Sequence, residues 1–168
     1  MKINPEECVF GVPAGKLLGF FVSERGIEAN PEKISTITRL GNPTCLRDVQ
    51  RLAGGGAALS RFISRLGEKA LPLYRLLKKS ETFVWDEEAD AALLVLKKTL
   101  STAHVLAVPR DKEPMLLYIA ATSRVVSVAI VVERKEEGKE HPVQRPVYYI
   151  SEVLSESKQR YPQYQKLV

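Results

Sequence analysis

Two cysteines, two histidines and one tryptophan are all that 168 residues hold of those types, and each scarcity removes a class of explanation. Cys8 and Cys45 lie far apart with no CxxC spacing, so neither a zinc site nor a disulfide framework is indicated, and both are expected to be buried thiols. His104 and His141 have no partner at ligand or triad spacing. No Asp-Asp pair occurs anywhere. The longest apolar runs, such as Val125 to Val132, fall far short of the about 20 residues of a membrane span, and Met1 to Glu6 carries no signal-peptide core. An intracellular chain without a membrane partner is expected.

What is present is a globular composition, 45% hydrophobic and 27% charged, which excludes disorder and collagen. A chain of this length buries about two thirds of its unfolded surface and needs no metal or disulfide staple to form a core. The net charge of +5 is concentrated in the middle. Between residues 45 and 79, Arg47, Arg51, Arg61, Arg65, Lys69, Arg75, Lys78 and Lys79 face only Asp48 and Glu68, a field suited to a polyanion.

Cys8 to Val12 and Leu17 to Val22 read as strands around a Pro13 to Lys16 turn, which predicts an N-terminal β-hairpin. Asn30-Pro31-Glu32 starts a helix striped by Ile34, Ile37 and Leu40. A second helix carries Leu46, Val49 and Leu52, and Gly54-Gly55-Gly56 predicts a break or kink, since each glycine costs about 1 kcal/mol against alanine inside a helix. The helical period restarts over Leu59, Phe62, Ile63 and Leu66, and Leu71 to Leu77 gives a short helix with Pro72 in its first turn. Asp86-Glu87-Glu88 opens the clearest helix, with Ala89, Leu93, Leu96 and Leu100 as its stripe. Its clustered acids are read as helix-start charge. Met115 to Ala120, Val125 to Glu133 and Pro146 to Ser151 predict an antiparallel meander, and Tyr161-Pro162 opens a last helix.

The run Leu46-Arg-Asp-Val-Gln-Arg-Leu-Ala-Gly54, Leu59-Ser-Arg-Phe-Ile63, Leu71-Pro-Leu73, Leu76-Leu-Lys-Lys79 and Phe83-Val-Trp85 resembles the thumb of gypsy-class LTR retrotransposon reverse transcriptases. Asn4 to Phe10, Leu18-Gly19, Gly26-Ile27 and Asn30 to Ile34 look like that family's passage from palm to thumb. Leu117-Tyr118 to Val132, Pro146 to Ser151 and Arg160-Tyr161 are similar to the start of the attached ribonuclease H domain. The resemblance implies an α+β architecture: a palm-end β-hairpin over 1–27, a helical thumb-like bundle over 28–112, and a truncated ribonuclease H-like antiparallel sheet with one helix over 113–168. A sheet cut short in this way is expected to expose an edge and an apolar face.

The resemblance also implies chemistry that the residues do not supply. The family's polymerase needs an aromatic-x-Asp-Asp turn for two Mg2+ ions, and its nuclease needs carboxylates on the first strand, first helix and two later elements. The strand pattern Asp-Ala-Ser is matched here by Ala120-Ala121-Thr122, and the helix pattern Glu-Lys-Glu by Gln165-Lys166-Leu167. With Ala120 and Leu167 at those positions and the remaining acids beyond Val168, no catalysis and no Mg2+ binding are expected.

Binding needs no catalytic acid. Arg47 with Arg51, and Arg61 with Arg65, recur at four-residue spacing, which on a helix places each pair on one face for phosphate contacts, while Lys16 and Arg25 flank the hairpin near the resembled primer terminus. The expected partner is an RNA/DNA hybrid or duplex, held weakly and without sequence preference. The alternatives are a non-catalytic module docking on a longer polymerase chain through its incomplete sheet, or an inert relic.

Overall fold

The computed structural model describes residues 10–78, 83–102 and 105–167. Its N-terminal part departs from the expected hairpin. β1 (Ala14–Leu17), β2 (Phe20–Ser23) and β3 (Gly26–Ala29) form a three-stranded antiparallel meander. The expected turn at Pro13 to Lys16 is largely strand, and the chain reverses instead at Leu18-Gly19, whose φ values of 49° and 81° suit a two-residue turn of the primed type. Of the expected first strand, Phe10 to Val12 lie outside any strand, and Cys8 and Val9 lie outside the described residues. β3 pairs with β2 along its whole length, and on its other side Ile27 exchanges both backbone hydrogen bonds with Leu106, at 2.9 and 2.8 Å, a pairing across nearly half the chain. The boundary drawn after residue 27 therefore falls inside a strand.

α1 (Pro31–Thr38) begins as its residues dictate: the Asn30 side chain accepts from the Glu32 amide at 2.9 Å, and Pro31 sits in the first turn. α2 (Leu46–Ala58) runs unbroken through Gly54-Gly55-Gly56, against the predicted break. Close packing overrides the propensity cost. A Cβ on Gly55 would stand 3.1 Å from the Ile37 side chain, so the glycine lets α1 lie directly on α2. At the helix start, the Asp48 carboxylate accepts from the Thr44 amide at 3.2 Å and from the Cys45 thiol at 3.4 Å. Cys45 is exposed, not buried as expected, because it stands at the cap of a surface helix.

The helix expected over Leu59 to Gly67 does not form. A 3-10 turn, Ser60–Phe62, gives way to extended Ile63 and left-handed Arg65 (φ 57°) before α3 (Leu66–Lys69) and α4 (Leu71–Leu76). The apolar period is real, but it is used to bury Leu59, Phe62, Ile63 and Leu66 from an irregular segment. α5 (Glu87–Ser101) is capped by Asp86, which accepts from the Ala89 amide at 2.8 Å, and buries Ala89, Leu93, Leu96 and Leu100.

β4 (Met115–Ala121), β5 (Val125–Arg134) and β6 (Val143–Val153) form the expected antiparallel meander in that order. α6 (Glu156–Gln159), which the sequence reading lacked, follows, and the expected last helix is a single 3-10 turn, Gln163–Lys166, with Pro162 at its cap. β4 lies at the sheet edge with Met115 to Ile119 all exposed.

One apolar core joins Ala29, α1, α2 and α5, with Tyr149 of β6 packed against it. Two further links fix the C-terminal sheet to the rest. The Gly67 amide donates to Ser151 Oγ at 2.9 Å, and the Ala107 amide donates to the Pro146 carbonyl at 2.7 Å. Leu106 and Ala107 thus tie β3 to β6 through adjacent residues.

A buried-end ion pair fastens that connecting segment. Arg134 grips Glu113 through Nε and Nη2 at 2.8 and 2.7 Å and also donates to the Val108 carbonyl. The bidentate hydrogen bond from Arg134, helped by the Arg110 amide, lowers the Glu113 carboxyl from 4.5 to about 2. A depressed folded value contributes stability that is complete above the unfolded value and is lost as pH falls through the folded one. Glu113→Gln is therefore expected to reduce stability at pH 7 and to shrink the loss between about pH 4.5 and 2, read by urea unfolding across that range. An unchanged acid limb would contradict the assignment.

Candidate nucleic-acid interface

α2 presents Arg47 and Arg51 one turn apart, both exposed and neither in an ion pair among the described residues. Their orientation follows from the opposite face: Val49, Leu52 and Gly56 are buried, so the intervening arginines face solvent. Between α1 and α2 lies an apolar cavity of about 200 Å³, floored by Ile37, Leu40 and Leu52, with Lys33 and Arg51 among its lining residues. Lys33, on a different helix, lines the same cavity as Arg51, but its ammonium stands 6.0 Å from the centre of the Phe20 ring.

The other expected contacts are placed differently. Arg61 belongs to the 3-10 turn, where its guanidinium carbon stands 4.7 Å from the ring centres of both Phe20 and Tyr148. It also donates to the Tyr148 hydroxyl at 3.4 Å. Arg65 is paired twice with Glu68, at 2.6 and 2.7 Å, and that hydrogen bonding raises the guanidinium above its ordinary value. Arg61 and Arg65 do not share a helix face, because no helix spans them. Lys16 bonds Glu32 at 2.6 Å, lowering that carboxyl, and Arg25 bonds Glu28 at 3.0 Å.

The Arg61 contact joins β2 to β6 across the 3-10 turn, and two ring faces around one partly buried guanidinium make it a structural tie. Arg61→Ala is expected to cost about 2 kcal/mol, a fall in Tm of about 4–8 °C by calorimetry, with Arg61→Lys recovering part of it. A change below about 0.5 kcal/mol would show the stack to be incidental.

At the other end of the molecule, Ala120 pairs with Ser127 near the end of β4. Gln163 Nε2 donates to the Ala121 carbonyl at 2.6 Å, which brings the Gln163–Lys166 turn, followed by Leu167, beside that strand end. The two elements that would carry carboxylates in the resembled nuclease therefore meet, but they bring a methyl group and an isobutyl group. Neither coordinates a cation, so the residues do not fit a Mg2+ pair. Among the described residues no cluster of three or more His, Cys, Asp or Glu could hold a metal ion. His104 lies outside the described residues, and no described helix is long and apolar enough to cross a membrane.

Residues 85–168 match the RNase H-like domain found in reverse transcriptase. Over 137 residues the chain is 31% identical to the Gag-Pol polyprotein of Baboon endogenous virus (strain M7), covering 82% of this chain and 8% of that protein. It is 26% identical over 177 residues to the retrovirus-related Pol polyprotein from transposon opus of Drosophila melanogaster, covering 99% and 17%. An uncharacterized mitochondrial protein of Arabidopsis thaliana is 31% identical over 115 residues, covering 67% of this chain and 72% of that one. The chain thus spans about 8 to 17% of the length of those polyproteins. Among solved structures, the foamy viral protease-reverse transcriptase in complex with RNA/DNA hybrid has a TM-score of 0.73 at 21% identity, covering 92% of this chain and 20% of that one. At that identity the likeness carries the fold.

Proposed function

The chain belongs to the family of RNase H-like domains found in reverse transcriptase, and from that premise we propose that it holds an RNA/DNA hybrid or duplex without cleaving it. The observation that carries the reading is the pair Arg47 and Arg51, exposed on one face of α2 while Arg61, Arg65 and Lys16 are taken up by partners within the protein. Two guanidiniums one turn apart suit the phosphates of one strand. Contacts to phosphates carry no base information, so on this reading the binding is sequence-blind.

Cleavage of the RNA strand requires carboxylates to hold two cations and to activate water. Ala120 and Leu167 provide none, and the chain contains no Asp-Asp pair for nucleotidyl transfer. On this reading the protein takes up no catalytic Mg2+ and acts by binding alone.

The test is fluorescence anisotropy against a labelled RNA/DNA hybrid and a random duplex at several salt concentrations. Two neutralised phosphates give a log-log salt slope of about −2. Similar affinity for hybrid and duplex with such a slope supports the reading. Absence of binding at low salt overturns it.

A further inference from the structure

A second cationic site stands away from α2. Between the segment leading into α3, the end of α5 and β6 is a polar cavity of about 310 Å³. Lys69 and Lys98 line it from different elements, Ser64, Thr99 and Thr102 add hydroxyls, and among the described residues no carboxylate lines it. We propose that this cavity is an anion site that takes a phosphate group, held by Lys69 and Lys98 with Ser64 as a neutral donor.

The local bonding favours an anion over other guests. Lys69 Nζ donates to Ser64 Oγ at 3.3 Å, so the serine oxygen is used as acceptor and its hydrogen remains to donate. Glu68, the acid that acts on Lys69, is engaged by Arg65 through both carboxylate oxygens. Partial burial, with Arg65 close by, depresses the Lys69 ammonium below its ordinary value, a cost that a bound anion removes. Thr99 and Thr102 spend their hydrogens on the Val95 and Lys98 carbonyls and therefore shape the wall without donating. Two ammoniums and a hydroxyl converging on a cavity wide enough for a tetrahedral oxyanion match phosphate in charge and in donor count. A cation finds no carboxylate among the lining residues and meets two ammoniums instead.

The phosphate has two sources, a nucleic-acid backbone or a free phosphate, and one experiment separates them. Inorganic phosphate is titrated into the full 15N-labelled chain, with amide shifts read at Ser64, Lys69, Thr99 and Thr102. Saturable shifts at these residues are expected, with affinity about tenfold weaker for each of Lys69→Gln and Lys98→Gln. Lys98 is exposed on α5, so its variant keeps the fold even if Lys69→Gln does not. An RNA/DNA hybrid added to the phosphate-loaded chain then either displaces phosphate, which assigns the site to a strand's backbone, or leaves these shifts in place, which assigns it to free phosphate. Shifts that do not saturate, or that Lys98→Gln leaves unchanged, overturn the proposal. Because the phosphate titration does not involve α2, its failure is distinct from failure of hybrid binding through Arg47 and Arg51.

Discussion

Gly26→Ala is expected to destabilise the chain by about 3 kcal/mol or more, a larger loss than an ordinary surface change of about 0.5 kcal/mol. Gly26 has φ 134°, a conformation that residues with a side chain rarely adopt, and an added Cβ would stand 2.1 Å from the Leu106 carbonyl oxygen. That carbonyl cannot yield locally. It accepts from Ile27, its own amide donates back, and the next amide, of Ala107, reaches Pro146 of β6. Leu106 is also 1% exposed in the core. The substitution therefore strains one backbone, breaks the bridge that holds β3 to Leu106, and disturbs the tie between the two sheets. Urea unfolding reads the effect as a lowered midpoint, and calorimetry as a fall in Tm of about 6–12 °C. A variant within about 0.5 kcal/mol of the parent would mean that the Leu106 bridge does not hold the sheets together.

Arg47→Glu with Arg51→Glu is expected to abolish hybrid binding at every salt concentration, because the double change replaces both phosphate contacts with repulsion. The parent is expected to lose about tenfold in affinity between 50 and 200 mM salt. Both side chains are exposed and support no packing, so the folded state should be unchanged by circular dichroism. Arg61→Ala provides the contrast: it lowers stability through Phe20 and Tyr148 while leaving the slope in place. Unaltered hybrid binding by the α2 variant would show that Arg47 and Arg51 are not the phosphate contacts.

The elements legible in the sequence are those whose causes are local. Asn30-Pro31 and Asp86 announce their helices because the cap and the first turn lie within four residues. The β4 to β6 meander is legible from its β-branched runs and the charged loop between β5 and β6. β3 is not, since Gly26-Ile27-Glu28-Ala29 is short and is set by its pairing with β2 on one side and the bridge to Leu106 on the other. The glycine run misleads for a related reason: its propensity argues for a break, whereas the contact of Gly55 with Ile37 decides for a helix. The interface divides in the same way. Arg47 and Arg51 share a face because a helix spans them, but the identical spacing of Arg61 and Arg65 crosses a 3-10 turn, an extended residue and a left-handed one. Nothing near Arg61 in sequence signals that Phe20 and Tyr148 will enclose it.

The central claim is that the chain binds a hybrid it cannot cut, and one measurement tests both halves. A hybrid labelled on the RNA strand is incubated with the protein in Mg2+ at low salt, at a concentration where anisotropy shows it bound, and the RNA is then resolved by length. The account predicts a bound and intact strand. RNA fragments that appear in Mg2+ and vanish in EDTA would contradict it, and would require carboxylates other than those lost at Ala120 and Leu167.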